Sequence, residues 1–316
     1  TGAMLPRGVD AVVPVEDTDD GARGASRLPE SIGIMRRVAP GAFVRYTGDD
    51  VKRGEQVLRA GAVIRPAEIA LMAAVGHTRV RVHRRPRVAV LSTGDELVAP
   101  DQTPGPGQIR DVNAWAVAAL VVQSGGEPIR LGVAHDDFDD VTAKLESAIG
   151  QGADLIVASA GVSVGAYDLV KDVVSAHGSI TLWRVRMRPG KPLAFGHYRN
   201  APFFGLPGNP VSAMLTFEQF VRPVLCVMAG FTNWRQPTIT VTLLEAVESD
   251  GRETYARARI DRDGERWVAR LSGGQGSNVL SSLARANALV IVPDGVTRLP
   301  AGAEAQAQLL GPLGAD

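Results

Sequence analysis

The sequence predicts a multidomain α/β protein: a central, doubly wound parallel sheet flanked by a small N-terminal β and α+β segment and by a C-terminal β domain. Three observations carry that prediction. At 316 residues the chain is longer than one ordinary core organises. Between residues 86 and 230, short continuous apolar runs alternate with helical patterns, as strands buried on both faces do when helices cross between them. After Gly230 the pattern becomes an alternation of apolar and polar residues, which suits half-buried strands.

The elements follow in order. Residues 1–50 read as part of a β domain, with a short strand at Asp10–Val15 and a polar connection from Asp17 to Arg27. Residues 51–85 form a small α+β segment whose helix starts at Pro66, runs to about Val75 and is closed by Gly76. In the 86–230 domain, Val88–Leu91 is a buried strand, and Asn113 can cap a helix running to Gln123, which Gly125 and Gly126 end. A strand near Ile129–Val133 leads through Asp136 into a helix ending near Gly150. Leu155–Ala158 is the next strand, with a helix near Asp168–Ala176 after it. Ile180–Val185 and Phe203–Leu206 are further strands, and Pro210–Met228 is a long helix. Residues 231–316 form the β domain: Thr238–Val247, a hairpin over Tyr255–Arg270 turning at Asp263 and Gly264, then Ala288–Val292 and Ala305–Leu310.

Composition narrows the function. Formal net charge is zero, so nothing draws the whole chain to nucleic acid or an anionic membrane. The single cysteine, Cys226, excludes an internal disulfide and a CxxC pair, and its apolar setting suits a buried thiol. The five histidines include no pair at HxxxH spacing, which argues against histidine-bound zinc. No apolar run is expected to reach the ~20 residues of a membrane span, and no signal peptide is evident, so a cytoplasmic enzyme is expected. The chain opens at Thr1, inside a motif, which reads as a fragment or processed form. Only four lysines occur among 34 basic residues, and Lys191 falls in a glycine-containing loop, where a compact ammonium suits an anion.

Three glycine-rich loops each follow a buried strand: Ser92–Glu96, Ser159–Gly165 and Leu206–Pro210. In an open parallel sheet the crevice beyond the strand carboxyl ends is where ligands bind. Glycines there let N–H groups face a ligand, and helix N-termini add positive potential suited to phosphate. Gly94, Gly161, Gly165 and Gly208 serve that purpose, while Ser92, Thr93, Ser159 and Ser163 add hydroxyl donors. A single such loop is more often a tight turn, so their convergence carries the argument. A fourth loop, Arg188-Pro-Gly-Lys191, brings two cations to the same edge if Ile180–Val185 joins the sheet. Asp95, Glu96 and Asp168 place carboxylates beside these anion-binding loops, which implies a bridging divalent ion such as Mg²⁺. A turn cap is the competing role for Asp95.

These runs bring a resemblance. Ser92–Leu97, Gly107–Asn113, Gly161–Asp168, Pro189–Gly196 and Gly205–Ser212 resemble the signatures of the MoeA and gephyrin E-domain family. Leu5–Val13 resembles that family's β-domain entry, and Gly273–Ser277 its C-terminal-domain loop. The resemblance spans the chain in the family's order and implies a molybdopterin-binding-like central domain. It also implies molybdenum insertion: adenylylated molybdopterin and molybdate give the molybdenum cofactor and AMP, with a divalent cation. By the same resemblance Glu96 and Asp168 line the insertion site and hold the metal, with Asp50 a further acid. Lys191 faces the anionic substrate, and Arg188, Pro207, Asn209 and Pro210 belong to its binding loops. Arg257 and Ser277 reach in from the β domain. A homodimer is implied, with Thr1 and Asp50 acting across a shared cleft, as is contact with the adenylyltransferase that makes the substrate. Ala160 and Arg188 depart from the glycine and lysine usual in the family, and the family's N-terminal acidic motif is not in this chain. Two other readings stand beside this one: the sibling enzyme that adenylylates molybdopterin, and a pterin-nucleotide-binding scaffold without turnover.

Overall fold

The computed structural model describes residues 2–19, 30–159 and 169–311. Two compact units result, Thr1–Val80 and Arg81–Asp316.

Among its described residues the first unit contains one α-helix, α1 (Pro66–Ala74), with Pro66 in its first turn, the Glu68 carboxylate accepting the Arg65 N–H, and Gly76 at φ +79° just past its end. The strand expected at Asp10–Val15 does not form. Val12 and Asp10 share two backbone hydrogen bonds with residues 41–42, too few for a ladder, and Val15–Asp17 is a 3₁₀ turn. Pro14 lacks the N–H a longer pairing needs.

The second unit begins with β1 (Arg87–Thr93), β2 (Leu97–Val98), β3 (Ile109–Arg110), α2 (Asn113–Gln123) and β4 (Glu127–Ala134). Next come α3 (Phe138–Gly150), β5 (Leu155–Ser159), α4 (Leu169–His177) and β6 (Gly178–Arg184). β7 (Met187–Arg188), β8 (Pro192–Tyr198), β9 (Ala201–Leu206), α5 (Pro210–Thr216) and α6 (Arg222–Met228) complete the α/β part. The main sheet has the order β4-β1-β5-β9-β8-β6. Its first four strands are parallel, and β8 and β6 add antiparallel pairings at one side. The chain leaves β1 through α2 to β4 on one flank, then crosses through α3 to β5 on the other. That reversal is a topological switch point at the carboxyl end of β1.

Alternation along the strands makes two apolar layers. Ala89, Leu91, Ile156 and Ala158 pack with α3 and α4 on one face. Val88, Val90, Leu155 and Val157 pack with α2, α5 and α6 on the other. Asn113 does not cap α2, as the sequence suggested; it is the first helical residue, and Asp111 Oδ1 accepts the Ala114 N–H instead. Asp137 caps α3, accepting from Asp139 and Asp140 N–H at 3.0 and 2.9 Å. A π-turn over Phe217–Val221 joins α5 to α6 in one continuous helix. At 19 residues and mean hydropathy 1.3, Pro210–Met228 is long and apolar enough to cross a bilayer, although Glu218, Gln219 and Arg222 interrupt it as an apolar run. Its Leu215, Phe217, Val221 and Leu225 instead fill the core.

The remaining strands are β10 (Thr238–Leu243), β11 (Val247–Glu248), β12 (Glu253–Asp263) and β13 (Arg266–Leu271). After α7 (Leu280–Ala284) come β14 (Ala288–Val292), β15 (Arg298–Leu299) and β16 (Glu304–Leu309). The order β13-β10-β16-β14-β12 closes on itself through β12–β13, giving a five-stranded barrel without free edges among these strands. The expected hairpin turns at Gly264, φ +59°. Alanines 256, 258, 269, 288, 305 and 307 suit the narrow interior. β7 leaves the α/β part and pairs in parallel with β12. Met187, Val211 and Leu215 then pack with Tyr255, Leu283 and Leu289, joining the two parts.

Candidate functional site

Because β1, β5 and β9 are adjacent and parallel, their carboxyl ends open on one edge of the sheet. Side chains knit that edge together. Ser92 Oγ donates to Asp111 Oδ1 at 3.0 Å and lies 3.1 Å from Ser159 Oγ, linking the ends of β1 and β5 to the approach of α2. Asn113 Nδ2 donates to the Gly208 carbonyl at 2.8 Å, linking α2 to the loop after β9. Ser92, Thr93 and Ser159 are buried. The hydroxyls of Ser92 and Ser159, expected to meet substrate, are spent on this internal bracing, which is a correction to their anticipated role.

Beyond the braced layer, Asp95 and Glu96 are exposed. Asp95 Oδ1 accepts the Asp136 N–H at 3.2 Å and lies 3.1 Å from His135 Nδ1. Those two bonds hold its carboxyl below the ordinary range, the backbone bond contributing most. Asp95 thus ties down the turn after β4. Among the described residues the Glu96 carboxylate takes part in no such tie, and it folds back over Gly94. Gly94 sits at φ +140°, and a Cβ there would come 2.5 Å from Glu96 Oε2, so only glycine leaves the carboxylate that position. Pro207 is buried, Gly208 and Asn209 are exposed, and Pro210 occupies the first turn of α5.

β6 joins the sheet, and since it runs parallel to β9 its carboxyl end reaches the same edge. The loop after it carries Arg188, half-buried, and Lys191, exposed. The Val185 N–H donates to the Lys191 carbonyl at 3.0 Å, closing that loop. Arg257 is another correction: with 0% exposure it does not reach outward. Its Nε donates to Ser282 Oγ at 3.0 Å, and its Nη2 donates to the carbonyls of Gly274 and Gly276 at 2.9 and 3.0 Å. It therefore shapes the Gly273–Ser277 loop from inside, leaving Ser277 half-buried. Burial, and then the charge of Arg188, lower the Arg257 pKa. Among the described residues its side-chain acceptors are neutral, whereas Arg188 lies close enough to the Asp250 carboxylate to help lower its pKa.

Thr1, Gly161, Ser163, Gly165 and Asp168 lie outside the described residues. Among the described residues no three His, Cys, Asp or Glu side chains gather to hold a metal. Asp50 belongs to the first unit, where it is exposed and lines a cavity of about 590 Å³ with Arg45, Tyr46, Lys52, Arg53 and His77.

Sequence reasoning missed the bracing pair Asp111 and Asn113 and the exposed His135 and Asp136. The signal for the latter was available: β4 is a fourth parallel strand, so the turn after it opens on the same edge.

Comparison with known proteins completes the picture. Residues 1–76 match the MoeA N-terminal region (domain I and II), residues 89–226 a probable molybdopterin binding domain, and residues 240–310 the MoeA C-terminal region (domain IV). A molybdopterin molybdenumtransferase of Nostoc sp. is 39% identical over 309 residues, covering 96% of this chain and 69% of that protein. Molybdopterin molybdenumtransferase 1 of Mycobacterium tuberculosis is 38% identical over 310 residues, covering 96% and 71%. The crystal structure of a molybdopterin biosynthesis MoeA protein from Pyrococcus horikosii superposes with TM-score 0.76 at 33% identity, covering 99% of this chain and 75% of that one.

Proposed function

The chain belongs to the MoeA family of molybdopterin molybdenumtransferases, enzymes of molybdenum insertion, and we propose that it acts on adenylylated molybdopterin at the β1–β5–β9 edge. The reaction cleaves the phosphoanhydride, releases AMP and leaves molybdenum, supplied as molybdate, on the dithiolene. One observation carries the placement: Ser92, Ser159, Asp111 and Asn113 tie the ends of β1 and β5, the approach to α2 and the loop after β9 into a single preorganised edge. Preorganised donors and charges act strongly in such a site because they need not reorient as the reaction proceeds.

Two anions must meet there, so cations matter. Lys191 and Arg188 face the substrate in this reading, and buried Arg257 adds field from beneath. Asn209, Gly208 and the first turn of α5 receive phosphate oxygens. The uncommitted Glu96 carboxylate over Gly94 offers the hard oxygen donor that Mg²⁺ prefers, so the residue present fits the ion. Glu96 with Asp168 would hold it, and it would neutralise phosphate charge. We assign Asp50 and Thr1 to the same site across a homodimer. The support is physical: among its described residues the first unit buries no apolar side chain, while Met4, Met35 and Phe43 are 95%, 73% and 69% exposed. We further propose a cytoplasmic location, hand-over of substrate from the adenylyltransferase, and division of the chain at residues 50, 85 and 230.

The matches on both sides of the central domain favour an insertase over the adenylylating sibling. An AMP-release assay on adenylylated molybdopterin tests the proposal. AMP should appear only when molybdate is present. Release independent of molybdate, or ATP consumption with unmodified molybdopterin, would overturn it.

A further inference from the structure

Asn113 stands where α2 meets the loops after β1 and β9, and it is 8% exposed. Its amide orientation is set chemically: the Gly208 carbonyl, 2.8 Å away, accepts only from the NH₂ end. The other end, Oδ1, is buried and has no hydrogen-bond donor among the described residues. A buried amide oxygen left without a donor is unusual and calls for an explanation.

Neighbouring donors are committed elsewhere. The Ser92 hydroxyl and the Ala114 N–H both go to Asp111 Oδ1. Two other buried atoms lack formal partners, and neither lies in the loops after β1 and β9 or at the start of α2. Arg222 Nε has the Glu218 carboxylate at 3.2 Å, and Gln308 Nε2 belongs to β16 of the barrel, where the Oε1 of the same amide accepts from Gln219 at 2.9 Å. Asn113 Oδ1 is therefore the orphan belonging to the ligand-facing edge. A ligand arriving there must donate. Phosphate, molybdate and dithiolate are acceptors, so none of them completes this atom; an amino group on a heterocycle does.

We propose that Asn113 is a specificity-determining residue: its NH₂ anchors the Gly208–Asn209 turn while its Oδ1 accepts a hydrogen bond from the exocyclic amino group of the substrate's heterocycle. This rests on the adenylylated-pterin reading above. That substrate carries such a group on both its adenine and its pterin.

Two ligand pairs separate those sources. AMP is compared with the 5′-monophosphate of purine riboside, which lacks the amino group. Pterin is compared with 4-hydroxypteridine, which lacks its 2-amino group. Affinities are measured calorimetrically for the parent protein, Asn113→Asp and Asn113→Leu. Both variants lose the bond to Gly208, but only leucine loses the acceptor. Any repulsion of phosphate by aspartate cancels within the first pair. The parent and Asn113→Asp should favour the amino-bearing member of one pair by about fivefold, the size of one neutral hydrogen bond, and Asn113→Leu should favour neither. Discrimination in the AMP pair assigns adenine, and in the pterin pair, the pterin. Equal affinities within both pairs for the parent, or discrimination that survives in Asn113→Leu, would overturn the inference. So would an altered Mg²⁺ requirement in Asn113→Leu with its base discrimination intact, since Oδ1 would then serve a cation. The molybdate-dependence of AMP release by the parent protein judges the underlying reading separately.

Discussion

At the scale of single residues, Gly94 and Glu96 act as a unit. The glycine's φ of +140° and its missing Cβ give the Glu96 carboxylate room over the end of β1. Alanine at 94 would strain the backbone and push the carboxylate aside. Displacing a catalytic group by about 1 Å commonly costs on the order of a hundredfold in rate. Gly94→Ala should therefore slow molybdate-dependent AMP release by about that factor, and Glu96→Ala by at least as much. Nucleotide affinity measured without Mg²⁺ should stay within about twofold in both, because anion binding then lies with the loops and cations. Unchanged AMP release by Glu96→Ala would remove that residue from the insertion step. The sequence showed these two residues in one turn, but not that the serines beside them are buried struts. Ser92 and Asp111 are 19 positions apart and Ser92 and Ser159 are 67 apart, so only folding brings their oxygens together.

At the scale of elements, the short β7 has a disproportionate role. It carries Arg188 out of the α/β part and into the barrel's β12, opposite Thr254. Arg252 Nη1 donates to the Met187 carbonyl at 2.9 Å, while its other nitrogens grip Asp250, whose carboxyl falls to about 2, mainly through that hydrogen bond. Arg186 likewise donates Nε to Asp294 Oδ1 at 3.0 Å. The cationic loop of an α/β domain is thus positioned by the β domain. Arg252→Gln should raise the KM for molybdate by about tenfold, the effect of freeing an anion-binding segment worth about 1.4 kcal/mol. The Arg252–Asp250 pair is partly exposed, so melting temperature should barely move. A falling melting temperature at constant KM would show that the contact is only structural. Sequence periodicity found most helices and buried strands, yet it missed β8, whose residues sit between a predicted loop and Phe203–Leu206. It also produced a strand at Asp10–Val15 that has no adequate partner.

At the scale of the whole molecule, the two units differ in kind. Arg81–Asp316 has two packed layers about its main sheet and a closed barrel with its own interior. Thr1–Val80 buries no apolar side chain among its described residues. A segment whose apolar side chains are at most half-buried cannot offset the conformational entropy of ordering, about 1–2 kcal/mol per residue. A chain beginning at Arg81 should therefore melt cooperatively, and an isolated 1–80 peptide should not, as followed by circular dichroism. Cooperative melting of the isolated 1–80 segment would remove the argument that it relies on a partner surface.

Patterns of apolar residues, glycine-rich turns and charged loops determined by themselves the family, the α/β core, the C-terminal β domain and the strand ends that open on one edge. These are local signals, written in neighbouring residues and in the rule that parallel strands end together. Tertiary structure alone decided which polar groups face inward. It committed the Ser92 and Ser159 hydroxyls to bracing, buried Arg257 beneath its loop, gave the capping of α2 to Asp111 and left Asn113 Oδ1 without a donor among the described residues. The physical reason is that a hydrogen bond depends on donors and acceptors brought within about 3 Å, and the sequence separation of those groups carries no record of that distance.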